Sequence, residues 1–168
     1  MFQSTKSIQG FADGSVYRIR FKNFLTYDSV ECYPGPGLNT IIGPNGTGKS
    51  TIVCGLCVGL GGNLSTIGRS MKFPDFIKFG KESATVEIEL VDKRRRNGNP
   101  VVRLEIRKEE SVRQFYIDGH SSTREKVREL TQKYHIQIDN PCQFLAQDKV
   151  VEFSAQKPED LLKNTQRA

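Results

Sequence analysis

Gly43-Pro44-Asn45-Gly46-Thr47-Gly48-Lys49-Ser50-Thr51 is the stretch on which the reading of this chain turns. Its spacing is G-x-x-x-x-G-K-[ST], with Gly43, Gly48, Lys49 and Ser50 at the fixed positions. A polyphosphate needs a concave ring of backbone N–H donors, and glycines at 46 and 48 let a backbone curl closely around one. A lysine at 49 brings a mobile positive charge to the β and γ phosphates, and the Ser50 hydroxyl is a hard oxygen ligand suited to Mg²⁺. The flanks supply the context such a loop requires. Residues 38–42 are a short β-branched run that reads as a strand, and residues 50–60 an apolar run that reads as a helix with its N-terminus facing the phosphates. All nine loop residues are therefore candidates for holding a nucleoside triphosphate.

Working outward, the 168 residues suffice for one domain with a sizeable core. No apolar run approaches the roughly 20 residues of a membrane helix, and the first residues lack a signal-peptide core, so no membrane partner is expected. The net charge of +6 favours an anionic partner. Of the four cysteines, Cys54 and Cys57 form a C-x-x-C inside the apolar helix; with no second pair to complete a zinc site, they read as small buried hydrophobes. His120 and His135 lie far apart among polar residues and suggest no catalysis.

Residues 1–15 are polar and rich in glycine and serine, a flexible leader. From 16 to 24 the chain alternates, with Tyr17, Ile19 and Phe21 on one face and Arg18, Arg20 and Lys22 on the other, which predicts a half-buried strand. A second strand is expected over 29–33, closed by the turn run Pro34-Gly35-Pro36-Gly37. The helix from Ser50 carries Ile52, Val53, Leu56, Val58 and Leu60 on every side, as a core helix does. Gly55 and Gly59, four apart, allow another element to approach it closely. Residues 63–83 look irregular, with Arg69, Lys72, Lys78 and Lys81 around an apolar patch over 73–77. Strands at 84–91, 101–107 and 113–117 make an antiparallel meander, the first two joined through the basic run Lys93-Arg94-Arg95-Arg96. Ser122-Thr123-Arg124-Glu125 is a capping box that opens an amphipathic helix over 123–134. Residues 142–146 read as a short buried piece and 148–153 as a helical turn. Pro158 starts a last helix, which reaches residue 168 without a stop signal. The elements add up to an α/β fold, a mixed sheet around the phosphate-loop helix plus an antiparallel meander.

A hydrolysing phosphate-loop protein needs an acid at the end of a buried strand to hold Mg²⁺ and orient water. Asp92 is the one candidate, but the alternation of Glu87 and Glu89 before it describes a half-exposed strand. A guanine-reading Asn-Lys-x-Asp is absent. A small nucleotide kinase would suit the length, yet its phosphate loop would follow the first strand, whereas here two strands come earlier. The chain reads as half of an ATPase.

Asn23-Phe24 with Thr26-Tyr27, the phosphate loop, and Asn140-Pro141-Cys142-Gln143-Phe144-Leu145-Ala146-Gln147 follow one another in an order that resembles the N-terminal half of the ATPase head of the structural maintenance of chromosomes (SMC) family. Ile67-Gly68-Arg69-Ser70, Asp75-Phe76-Ile77-Lys78 and residues 139–148 are further marks of its eukaryotic members. The resemblance spans roughly residues 16–165. It implies an ABC-type P-loop ATPase head, with 16–157 as its N-terminal lobe and 158–168 as the start of a helix leading into a coiled coil. It implies ATP and Mg²⁺ as cofactors, Gln147 standing where a glutamine helps ligate Mg²⁺ and senses the γ-phosphate. The family's signature motif and metal-holding carboxylate lie in a C-terminal half beyond these residues. The implied partners are that half, a second and different SMC head joined through ATP, non-SMC subunits and DNA; the implied setting is the nucleus, on chromosomes, in DNA repair and recombination. Hydrolysis is expected only when both missing parts are present. Leu25 stands where many relatives carry a basic residue that reaches the phosphates, so that contact must come from elsewhere or be missing. Arg69 falls where the family has an arginine linked to DNA sensing, with Lys78 and Lys81 as basic neighbours. Lys93, Arg94, Arg95 and Arg96 match no family motif, and serve either DNA or a solvated hairpin tip. The rival readings are a small P-loop kinase and a nucleotide- or DNA-binding module without turnover.

Overall fold

Alternating burial builds the sheet. In the computed structural model, whose described residues are 8–67, 71–109 and 113–167, β1 (Val16–Phe24) turns back through Leu25 and Thr26 into β2 (Tyr27–Cys32). β3 (Ser83–Leu90), β4 (Val101–Arg107), β5 (Arg113–Ile117) and β6 (His120–Ser122) follow as a meander. The strand order is β2-β1-β3-β4-β5-β6, and β1 joins the two parts by lying beside β3, with Ile19 opposite Ile88 and Phe21 opposite Val86. The α/β character holds, but the mixed sheet does not: every pairing among the described residues is antiparallel, in one sheet.

One sheet face is apolar. β3 hides Ala84, Val86, Ile88 and Leu90, and β4 hides Val102, Leu104 and Ile106. Helix α1 (Lys49–Gly59) joins this cluster through Ile52, Cys54, Cys57 and Val58. Burial pushes the Cys57 thiol up to about 12, so it stays protonated and packs as a small apolar group. The close approach expected at the helix glycines is made by the sheet: a Cβ on Gly55 would overlap the Phe21 ring, and one on Gly59 would sit 2.7 Å from Ile88 Cδ1. The opposite sheet face is laced by charge, Arg18 reaching Glu87 and Glu89 at 3.0 Å each. α2 (Arg124–Lys133) is capped by Thr123, whose Oγ1 accepts from the Lys126 N–H at 3.3 Å, and it buries Val127 and Thr131. α3 (Val150–Ser154) and α4 (Pro158–Arg167) close the chain.

Three expectations change. Residues 38–42 are not a strand; Leu38 is 98% exposed and Ile42 89%. A β-branched run pairs only when a neighbouring strand accepts its backbone hydrogen bonds, and no described strand lies alongside. Part of the stretch read as a leader is docked. Phe11 is buried against Tyr17, the Gly14 N–H donates to the Val91 carbonyl at 2.8 Å, and the Val91 N–H donates to that of Ser15. Of residues 142–146, only Ala146 is fully buried, because the segment bends through turns.

Candidate functional site

Two residues of the first hairpin turn shore up the phosphate loop from below. The Tyr27 hydroxyl donates to the Gly48 carbonyl at 2.9 Å, and the Thr26 and Thr51 hydroxyls share a hydrogen bond at 3.2 Å. Tyr27 is itself held by an aromatic row running into the core. Its ring lies 5.6 Å from that of Phe21, Phe21 stacks on Phe24, and Phe24 on Phe76. Sequence reading took Asn23-Phe24 and Thr26-Tyr27 as family marks without a task; their position just after an alternating strand was the signal available. The turn they make is tight, with Asn23 and Leu25 both at positive φ.

The loop curls on glycine. Gly46 has φ +82° and Gly48 φ +97°, a left-handed region that side chains avoid, and a Cβ at Gly48 would meet the Tyr27 ring at 2.6 Å. The Thr47 hydroxyl ties back to the Pro44 carbonyl at 2.8 Å. Lys49 Nζ donates to the carbonyls of Gly43 and Pro44, 2.7 Å each. At the start of α1, Gly48 has no side chain to cap the helix and the first turn carries no acid. The N-terminal amides therefore keep their affinity for an anion.

Gln147 arrives from the other end of the chain. The turn before it is fastened by Asn140, 7% exposed, whose side chain bonds the Gln137 side chain, the Asn164 carbonyl and the Cys142 N–H. Asp139 accepts from Asn63, Thr66 and Arg128, tying the same turn to the loop beyond α1 and to α2. Gln147 and Thr26 then line one cleft of about 260 Å³ with Lys49, Ser50 and Thr51. Ser50 and Gln147 thus bring a hydroxyl and a carboxamide oxygen to a common space, donors of the hard neutral kind that suit Mg²⁺. No carboxylate lines this cleft among the described residues. A larger, mostly apolar slot of about 450 Å³ adjoins it between α1 and the Gln147 turn, walled by Ile41, Val53, Cys54, Ile67, Leu145 and Val150. The slot shares Lys49, Ser50 and Gln147 with the cleft and carries one lining acid, Asp148.

Asp92 is placed elsewhere, past the end of β3 that lies away from Thr26. It is buried, accepting from the Tyr134 hydroxyl at 2.6 Å, the Arg94 N–H at 3.0 Å and Lys133 Nζ at 3.4 Å. The Tyr134 hydrogen bond, ahead of the others, holds its carboxyl below the usual aspartate range. Asp92 is a structural acid.

The basic candidates divide. Arg69 lies outside the described residues. Lys78 and Lys81 sit at the phosphate-loop end of the sheet, Lys78 Nζ lying 2.6 Å from Asp28 and 3.3 Å from the Thr26 carbonyl. Residues 93–96 sit at the opposite end, after β3. There Arg95 is paired with Asp118, Arg94 lies 3.6 Å from Asp13, and Lys93 and Arg96 are exposed. The structure does not bring the two basic groups together.

A family model described as an AAA domain matches residues 18–168. Among curated proteins, the chain is 44% identical over 158 residues to structural maintenance of chromosomes protein 5 of Caenorhabditis elegans and 42% identical to that of Schizosaccharomyces pombe. Each match covers 94% of this chain and 14% of the relative. Structural maintenance of chromosomes protein 6A of Arabidopsis thaliana is 34% identical over 155 residues, 86% of this chain and 15% of its own. The chain therefore spans about 14% of the length of the first two relatives. Among solved structures, one from work on ATP-driven dimerization and DNA-stimulated activation of SMC ATPases matches with a TM-score of 0.75 at 20% identity, over 90% of this chain and 98% of that one. An Smc head bound to the C-winged helix domain of ScpA matches with 0.74 at 21% identity, over 85% and 47%. These structures speak for the fold, that of an ABC-type ATPase head.

Proposed function

The chain belongs to the AAA-domain family and has the fold of an SMC ATPase head, and from this premise we propose that it is the nucleotide-binding half of such a head. The observation that carries the reading is the cleft shared by Lys49, Ser50, Thr51 and Gln147. It is furnished with backbone donors, a cation and the neutral oxygens of Ser50, Thr51 and Gln147 but, among the described residues, with no acid. ATP fits the loop of residues 43–51. Its phosphates would lie on the amides around Gly46 and Gly48, with Lys49 exchanging its own-loop carbonyls for phosphate oxygens. Mg²⁺ would be held by Ser50 and Gln147 and would neutralise charge developing on the phosphates. The missing carboxylate and signature motif would come from the C-terminal half of this head and from a partner head of the sixth eukaryotic kind. Exposed residues 38–42 and the apolar slot beside Lys49 are surfaces suited to that completion. A related solved structure concerns ATP-driven dimerization and DNA-stimulated activation, and another carries bound ScpA. By analogy, ATP would join two heads here, DNA would be contacted near them, non-SMC subunits would dock, and the work would be done on nuclear chromosomes in DNA repair.

The test is the ATPase rate of the 168 residues alone and within the complete two-head complex. Alone, turnover should be at background, since positioning and charge stabilisation supply most of a phosphoryl-transfer rate. Steady hydrolysis by the isolated chain that Lys49→Ala abolishes would refute the half-site.

A further inference from the structure

Phe79 is the most exposed large apolar side chain described, fully open to solvent at the tip of a turn, and it does not dangle. The turn is pinned on both sides. Phe24 and Ile77 form a bridge, the Lys78 N–H donates to the Asn23 carbonyl at 2.8 Å, and the Lys81 N–H to the Lys78 carbonyl at 3.0 Å. Gly80 at φ +78° makes the reversal. Lys78 Nζ is clamped on Asp28 and the Thr26 carbonyl. A rigid mount that holds an aromatic ring in water calls for a ligand with a flat apolar face.

The surroundings choose between ligands. A ring that anchors a protein partner is normally ringed by other groups that exclude water, but the chain neighbours of Phe79 are Lys78, Gly80, Lys81, Glu82 and Ser83, none of them a large apolar residue. Exposed Lys81 stands two positions away, and Lys22 lies on β1 next to Asn23, whose carbonyl anchors the turn. An isolated aromatic face flanked by ammonium groups matches unstacked bases strung on phosphates. We propose that Phe79 is a stacking platform for a base of single-stranded nucleic acid, with Lys81 and Lys22 taking the adjacent phosphates. The proposal refines the reading that this end of the head contacts DNA and rests on it. The platform is mechanically close to the phosphate loop, because Thr26, which accepts from Lys78, also bonds Thr51.

The experiment is fluorescence anisotropy on the complete protein with a labelled thymidine oligonucleotide and with a duplex of equal length, over a salt series. Phe79→Ala should weaken single-strand binding by about 5- to 150-fold without altering the salt slope, and should spare the duplex. Phe79→Tyr should restore affinity. Lys81→Ala should lower the magnitude of the log–log slope on the single strand by about 0.7. Wild-type binding to the duplex with no loss on the single strand in Phe79→Ala overturns the platform while leaving DNA contact intact. Equal losses on both nucleic acids also overturn it, since stacking needs a free base. Absence of wild-type binding to either defeats the DNA reading itself.

Discussion

Lys49 holds its ammonium group between two carbonyls of its own loop, and Gln147 reaches the same cleft from a turn a hundred residues later in the chain. Their replacements should fail in different ways within the complete two-head complex. Lys49→Ala removes a charge-assisted bond to phosphate of roughly 1.5–3 kcal/mol, so titration of a fluorescent ATP analogue should show affinity lower by about 10- to 150-fold. Gln147→Ala should keep most of the affinity and lose about 10- to 100-fold in turnover, the scale of losses around a metal. Equal loss of affinity in both would argue against separate roles. Asp92 makes a pH prediction. Its folded carboxyl binds a proton less readily than the unfolded one, whose pKa is about 3.9. Its contribution to stability is therefore fully present above that value and disappears as pH falls through the lower folded value. Asp92→Asn should be less stable than wild type at neutral pH, with the gap narrowing toward strong acid in a pH series of urea midpoints. A gap constant with pH would mean that the charge contributes nothing. At this scale the curl of the loop was legible because its glycines fall at the spacing a tight backbone curl needs. Asp92 and Tyr134 were not, because nothing local in the sequence links two residues that meet only in the fold.

Helix α1 is buried through Ile52, Cys54, Cys57 and Val58, while Val53 and Leu56 stay half-buried, and the sheet comes closest at Gly55. Gly55→Ala brings two effects of opposite sign. Alanine gains about 0.5–1 kcal/mol of helix propensity, whereas forcing a methyl into the Phe21 ring costs about 1–3 kcal/mol. The second should win, giving a melting temperature lower by several degrees. The displaced ring also supports Tyr27, so ATP affinity should fall with it; a stabilised variant would show that the ring moves aside freely. The strands of the meander were readable to within a residue or so because their faces differ, buried on one side and wet on the other. β6 escaped because three polar residues, His120, Ser121 and Ser122, carry no alternation. Residues 38–42 failed in the other direction. Their β propensity is real but finds no partner strand among the described residues. Amide exchange over 38–42 should accordingly be fast in this chain alone and slow in the complete head. Unchanged exchange would mean that nothing pairs there.

Across the whole molecule, the candidate site lies at one end of the sheet. The phosphate loop, Thr26 and the Lys78 turn cluster there, and the basic run at 93–96 lies at the other, partly neutralised by Asp13 and Asp118. The residues alone rank Arg69 with Lys78 and Lys81 ahead of the run at 93–96. That Lys78 and Lys81 lie at the opposite end of the sheet from that run was invisible until the strand register was known. Replacing Lys93, Arg94, Arg95 and Arg96 by alanine should weaken DNA binding only modestly and leave DNA-stimulated hydrolysis at saturating DNA unchanged; lost stimulation would place the sensing element at that far end. The pairing of β1 with β3 has a further consequence, in time. Arg18 and Glu89 on these strands are 71 positions apart, whereas Glu105 and Tyr116 in the meander are 11 apart. Closing the longer loop costs roughly 1.5–2 kcal/mol more chain entropy, so the meander should nucleate and β1 dock later. The phosphate loop and α1 hang inside that last closure and take shape on the downhill side of the barrier. A nucleotide then has nothing to grip in the transition state. In stopped-flow experiments ATP should slow unfolding and leave the refolding rate untouched.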